Sequence, residues 1–215
     1  MAYTGRSQAY PGTEKQKKLD DLEKAVEIDP TFASAWAQLC SVQNWIAKDA
    51  KAALQSCSKA IELDSQSSEA WTYRGDIHLR NKEFDDAIAD YDHALKLTPD
   101  WMWPWDNRGE AYLRKGDIDR SIQDFNEVIR LNPDYAMGFL DRGIAEMRKK
   151  DLDSARADFE TGLKVDSKCA SCLFGRGLVK TAKGDPDGGN ADMAKARTLV
   201  PDPSEAFTND GIPIP

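Results

Sequence analysis

Residues 105–112 read Trp105-Asp106-Asn107-Arg108-Gly109-Glu110-Ala111-Tyr112, and the Arg-Gly pair inside them recurs as Arg74-Gly75, Arg142-Gly143 and Arg176-Gly177, each pair thirty-four residues from the next. Other columns keep the interval. Trp71, Trp105, Phe139 and Leu173 precede the glycines, and Tyr91, Phe125, Phe159 and Met193 follow them. Ala94, Val128, Gly162 and Ala196 form a small-residue column, while Pro99, Pro133 and Pro201 close the units, with Ser167 standing in once. Several independent columns at one interval define a repeat array. A single repeat cannot bury its apolar face alone, so neighbours must stack.

The apolar spacing inside one unit says what stacks. From Trp71 to Leu79 apolar residues fall at helical intervals, and after a break at Asn81-Lys82 the run Phe84, Ala87, Ile88, Tyr91, Ala94, Leu95 does the same. Each unit is therefore expected to be a hairpin of two helices. Thr98-Pro99-Asp100 ends the second helix, since proline lacks the N–H that a helix interior needs. The glycine column marks where the two helices cross most closely. Sixteen residues after each arginine of the Arg-Gly pairs stands an aspartate, Asp90, Asp124, Asp158 and Asp192. These are expected to pair across each hairpin as an internal ladder, and Arg6 with Asp21 roughly repeats the pattern. Around Leu39 and Ser56 both partners are lost together, which fits contact between them.

The pattern Trp-x3-Gly-x2-Tyr or His, followed by alanine, an aromatic, alanine and proline at the stated intervals, resembles the tetratricopeptide repeat. The style of Asn107 to Tyr112 and of Ala87 to Tyr91 is similar to many bacterial members. The resemblance implies an all-α solenoid, a right-handed superhelix of about six hairpins (~34 residues each). The units would run 1–32, 33–67, 68–101, 102–135, 136–169 and 170–203 as one array, with 204–215 as a short C-terminal cap or tail. The unit 33–67 is degenerate, holding Trp36, Leu39, Cys40, Ala53 and Ala60 and one extra residue in its turn. The pattern is already running at Tyr3, so a whole chain and a fragment of a longer protein are both open readings.

In this family the first helix of each hairpin lines the concave groove. The resemblance places Thr72, Asp76 and Arg80, then Trp103, Asp106, Glu110 and Arg114, then Met137, Leu140 and Ile144, then Phe174 and Leu178 on that face. The expected groove is acidic and polar with an indole in its middle and apolar towards the C-terminus. A protein or peptide segment with a basic residue followed by an apolar anchor would complement it. The subtype that clamps the carboxylate tail of heat-shock chaperones resembles a set of Lys, Asn and Arg, where this chain has Thr72, Asp76, Asp106 and Glu110. An acidic tail is expected to be repelled there. Trp103 is the surplus indole of Trp101-Met102-Trp103-Pro104-Trp105, because Trp105 belongs to the core column and Trp101 matches Tyr135 and Phe32 at the unit junctions.

The remaining composition bounds function. A net charge of -8 argues against a broad affinity for nucleic acid. No window approaches the roughly eighteen apolar residues of a membrane span, and Met1 to Arg6 lacks the apolar stretch of a signal peptide. The reading is cytoplasmic, or periplasmic if a signal lies upstream. Cys40 and Cys57 stand in the glycine and aromatic columns and are expected in the core, where a bond between them is geometrically open. Cys169-Ala170-Ser171-Cys172 lacks the strand-turn-helix setting of a redox motif and the second ligand pair of a zinc site. His78 and His93 read as surface residues, Asp185 to Asn190 as a hairpin turn, and Gly175-Arg176-Gly177 lacks the preceding strand of a phosphate loop. No catalytic constellation, metal site or cofactor is expected. The function expected is a non-enzymatic scaffold for protein segments, or alternatively the regulatory or substrate-recruiting region of a larger enzyme or signalling protein. An uncovered last hairpin would self-associate weakly; Phe207 folding back would shield it.

Overall fold

A computed structural model describes residues 12–47 and 49–212. The start of the first hairpin, with Tyr3, Arg6 and Tyr10, lies outside the described residues, so the Arg6–Asp21 pair does too. Among the described residues there are twelve α-helices and one π-helical turn: α1 Gly12–Ile28, α2 Ala33–Val42, the π turn Gln43–Ala47, α3 Ala50–Leu63, α4 Ser68–Arg80, α5 Phe84–Leu97, α6 Met102–Lys115, α7 Ile118–Leu131, α8 Ala136–Lys149, α9 Leu152–Val165, α10 Ala170–Ala182, α11 Pro186–Leu199 and α12 Glu205–Asn209. The architecture is an all-α solenoid of helix hairpins. Contacts gather into two compact units, Met1–Asn107 and Arg108–Pro215.

Local chemistry sets the helix ends. Asp49, Ser67, Asp117, Asp151 and Asp185 each accept a backbone N–H of the first turn that follows, satisfying a donor the helix cannot. Four hairpin turns each carry one left-handed residue, and the positions are again thirty-four apart: Lys82 at φ 65, Gly116 at φ 93, Lys150 at φ 69 and Gly184 at φ 91. Between hairpins the indole N–H of the tryptophan column reaches a carbonyl six residues upstream: Trp36 to Pro30 at 2.9 Å, Trp71 to Ser65 at 3.0 Å and Trp105 to Pro99 at 2.8 Å. These bonds tie each first helix to the loop that introduces it.

The helix crossing is built on missing side chains. A Cβ on Gly75 would lie 2.7 Å from the Tyr91 ring, one on Gly109 2.7 Å from Phe125 and one on Gly143 2.6 Å from Phe159. The ring sits in the space the glycine leaves. In the degenerate hairpin the same crossing is made by a disulfide between Cys40 and Cys57, with Cα atoms 5.1 Å apart. The extra residue between those cysteines is absorbed by the π turn, a usual way for a helix to accommodate an insertion.

The charged ladder forms as expected. Arg74, Arg108, Arg142 and Arg176 each donate through Nε and Nη2 to both oxygens of Asp90, Asp124, Asp158 and Asp192, at 2.5 to 2.9 Å. Where the pair is lost, Leu39 is buried and the Ser56 hydroxyl donates to Gln43 at 2.7 Å instead.

Candidate binding face of the first helices

Within each unit the second helix of one hairpin packs on the first helix of the next, α3 on α4, α7 on α8 and α9 on α10. The first helices also meet directly, α2 with α4 and α8 with α10. Their remaining faces therefore line up side by side.

In the first unit that face is polar but largely engaged. Thr72 is buried and donates to the Ser68 carbonyl at 2.8 Å. Asp76 is buried as well, accepting from the Tyr91 hydroxyl at 2.9 Å and from Asn107 Nδ2 at 2.7 Å. Its carboxylate thus ties α4 to α5 and α6, and is not a free acidic surface group. Arg80 donates to the Asn44 carbonyl of the π turn at 3.1 Å and lies over the Trp45 ring, and burial lowers its pKa. Trp103 is half-buried and Asp106 buried.

In the second unit the face is apolar and covered. Leu140, Ile144, Phe174 and Leu178 are buried and share one hydrophobic cluster with Phe207 and Ile212 of the C-terminal segment, Met137 packing against it. The Phe207 ring is fully buried, with its centroid 5.7 Å from Phe174 and 6.0 Å from Phe159. Three residues further on, Asp210 Oδ1 lies 3.7 Å from Arg114 Nε, while Arg114 Nη2 holds Glu110 at 2.5 Å. Burial first, then the negative charge of Glu110, pushes the Asp210 carboxyl up to about 6, against the opposing pull of Arg114 and Arg148. The segment thus meets the first helices of three successive hairpins, α10 at Phe174, α8 through the cluster with Leu140 and Ile144, and α6 at Arg114.

Arg114 and Arg148 lie beside Asp210, so the charge around this segment is mixed, with Glu110 the acidic member. Sequence reasoning missed Gly175, Arg148, Asp210 and Ile212 as participants. One signal was present: the column holding Tyr73, Asn107 and Asp141 drops to Gly175, removing a side chain where Phe207 now sits.

Other candidate chemistry is engaged in structure. His78 Nδ1 lies 2.6 Å from Glu83 Oε2, and these two with Asp86 bring three ligand atoms within 4.8 Å of one another at the surface. His93 stacks on Trp71 with ring centroids 4.4 Å apart. Cys169 and Cys172 form a disulfide at the start of α10, where Cys169 Sγ also accepts the Cys172 N–H at 3.2 Å. Asp185 caps α11 by accepting the Gly188 N–H at 2.9 Å. No helix among the described residues is long and apolar enough to cross a membrane.

Two tetratricopeptide repeat models match, one over residues 68–101 and the other over 107–163 and 140–202, and a protein prenyltransferase alpha subunit repeat matches 50–80. Among curated proteins, peptidyl-prolyl cis-trans isomerase FKBP4 of Mus musculus is 46% identical over 48 residues, which are 22% of this chain and 10% of that protein. The chain therefore aligns with only a small part of that relative. Among solved structures, PilF of Pseudomonas aeruginosa superposes with a TM-score of 0.76 at 20% identity, covering 91% of this chain and 90% of that one. YrrB, described as a TPR protein with an unusual peptide-binding site, gives 0.67 at 18% identity over 84% of this chain and 93% of its own. MamA of Desulfovibrio magneticus gives 0.69 at 15% identity over 78% and 94%. At these identities the superpositions establish the fold alone. With repeat matches over more than half of its residues, the chain belongs to the tetratricopeptide repeat family.

Proposed function

We propose that the chain is a non-enzymatic scaffold that holds a segment of another protein against the faces of its first helices. The observation that carries this is the second unit, where the face around Leu140, Ile144, Phe174 and Leu178 already takes up a short peptide, the chain's own residues 203–212. A surface that buries one aromatic and one aliphatic anchor in this way has the form of a peptide groove. The basic character expected of the partner rested partly on Asp76 and Glu110. The first is held by Tyr91 and Asn107 and the second by Arg114, so apolar anchors carry the reading instead.

Selection from a displayed peptide library tests it, using the full chain, its Phe207→Ala variant and a Met137→Glu variant. Met137 is half-buried at the edge of the cluster, so a charge there should spoil the face without unfolding the hairpin. Enriched peptides should lose about tenfold in affinity for Met137→Glu at an unchanged melting temperature, the size of one interface anchor. If no peptide is enriched on either the full chain or Phe207→Ala, the scaffold reading fails.

A second reading, a recruiting region of a larger enzyme, is favoured by the match to a tenth of an isomerase. On compartment, the disulfides Cys40–Cys57 and Cys169–Cys172 favour an oxidising one such as the periplasm over the cytoplasm. Mass spectrometry of alkylated protein from the native cell decides this: unmodified cysteines support export, and four alkylated cysteines support the cytoplasm.

A further inference from the structure

We infer that Phe207 to Ile212 is a built-in stand-in for the partner. The second unit would then select a segment with an aromatic residue on a short helical turn, a carboxyl group three residues later and an aliphatic residue two beyond that. This rests on the scaffold reading above and names the chemistry of its partner.

Three observations support it. The first is the seat. A Cβ at Gly175 would fall 2.7 Å from Phe207 Cζ and 2.7 Å from Phe159 Cζ, whereas the matching places in earlier hairpins carry Tyr73, Asn107 and Asp141. The glycine clears room for one ring above the Phe159 ring. The second is the polar partner, since Arg114 from α6 lies 3.7 Å from Asp210 and Arg148 from α8 also acts on it. These two cations, with Glu110 opposing them, stand in register with the aromatic seat and set the order aromatic, then carboxyl group.

The third is the weakness of the resident. Helix α12 has five residues, far too few to be stable alone, so side chains hold it in place. Asp210 Oδ1 and Arg114 Nε are both buried yet neither has a hydrogen-bond partner. A buried polar pair left at ion-pair distance gives up much of what a hydrogen bond would return. An incoming segment whose carboxylate reaches Arg114 properly can therefore displace the tail. The apparent affinity of such a segment is reduced by the fraction of molecules in which the tail is docked.

The test is fluorescence anisotropy with a labelled peptide of residues 203–212, titrated with full chain and with full-chain Phe207→Ala. The variant should bind at least about tenfold more tightly, because its own tail no longer competes. Replacing Phe207 by Ala or Asp210 by Lys in the peptide should abolish binding, a comparison that does not depend on the folding of any variant protein. Saturating peptide should also raise the melting temperature of Phe207→Ala by linkage. If Phe207→Ala fails to unfold cooperatively, Asp210→Lys in the full chain replaces it, keeping the ring while setting Lys beside two arginines. Equal affinity for wild type and both variants, or binding of the alanine peptide as tight as the parent, would overturn the inference. Library peptides that lack this motif yet bind wild type and Phe207→Ala equally would sink the stand-in while leaving the scaffold reading intact.

Discussion

Gly109 and Arg142 show how single residues carry the hairpin. A Cβ at Gly109 would meet the Phe125 ring at 2.7 Å, and that ring is itself buried in the crossing. Gly109→Val should therefore cost about 1 to 3 kcal/mol, read as a lower urea midpoint; an unchanged midpoint would mean the crossing is loose. Arg142 donates to both oxygens of Asp158 and through Nη1 to Asn126 at 2.7 Å. Arg142→Met alone leaves the Asp158 carboxylate buried without a cation and should cost on the order of 1 to 3 kcal/mol. Adding Asp158→Leu should recover most of that loss, because the harm lies in the orphaned charge and not in the pair's net contribution. A double variant as unstable as the single would contradict this. Both positions were legible in the sequence, since a repeated column repeats its physical reason. Asp76 was not, because its partners Tyr91 and Asn107 lie on other helices, and spacing along one helix says nothing of them.

At the scale of the element, the four hairpins from α4 to α11 each depend on a left-handed turn residue. A Cβ at Gly116 meets no atom within 4 Å, so Gly116→Ala would suffer from backbone conformation alone. Lys150 occupies the equivalent place with a side chain. Lys150→Gly should stabilise the chain and Gly116→Ala destabilise it, each by about 1 kcal/mol. Opposite shifts in melting temperature would be seen, and shifts of the same sign would refute the argument. The sequence marked a break at Asn81-Lys82 but could not mark its handedness, since lysine is no signal for a left-handed residue. It showed one surplus residue in the degenerate hairpin. Only the structure shows that a π turn takes it up and that Arg80 caps the freed Asn44 carbonyl.

Across the second unit as a whole, the tail and the face it covers behave as receptor and ligand, and charge tunes them. Asp210 is faced by Glu110 and Arg114 from α6 and by Arg148 from α8, and its carboxyl is raised to about 6 from the ordinary 3.8. The docked segment thus holds a proton that the free segment releases, so docking is favoured in acid and weakens as pH rises through 6. The peptide of residues 203–212 should bind Phe207→Ala about tenfold more tightly at pH 5 than at pH 7.5. A flat profile would place Asp210 in solvent. Little of this was readable in advance. The apolar face of Leu140, Ile144 and Phe174 was, through its place in the repeat, but what covers it depends on a tail that belongs to no repeat. Phe207 also falls thirty-four residues after Leu173, a coincidence that suggests one more stacked hairpin where the chain instead turns back.

Hydrogen–deuterium exchange of Phe207→Ala with and without the 203–212 peptide tests most directly whether this face is the one that grips a protein segment. Added peptide should slow exchange in α8 and α10, around Leu140, Ile144 and Phe174, and leave the outer second helix α11 unchanged. Protection confined to α11, or none anywhere at saturating peptide, would contradict the account.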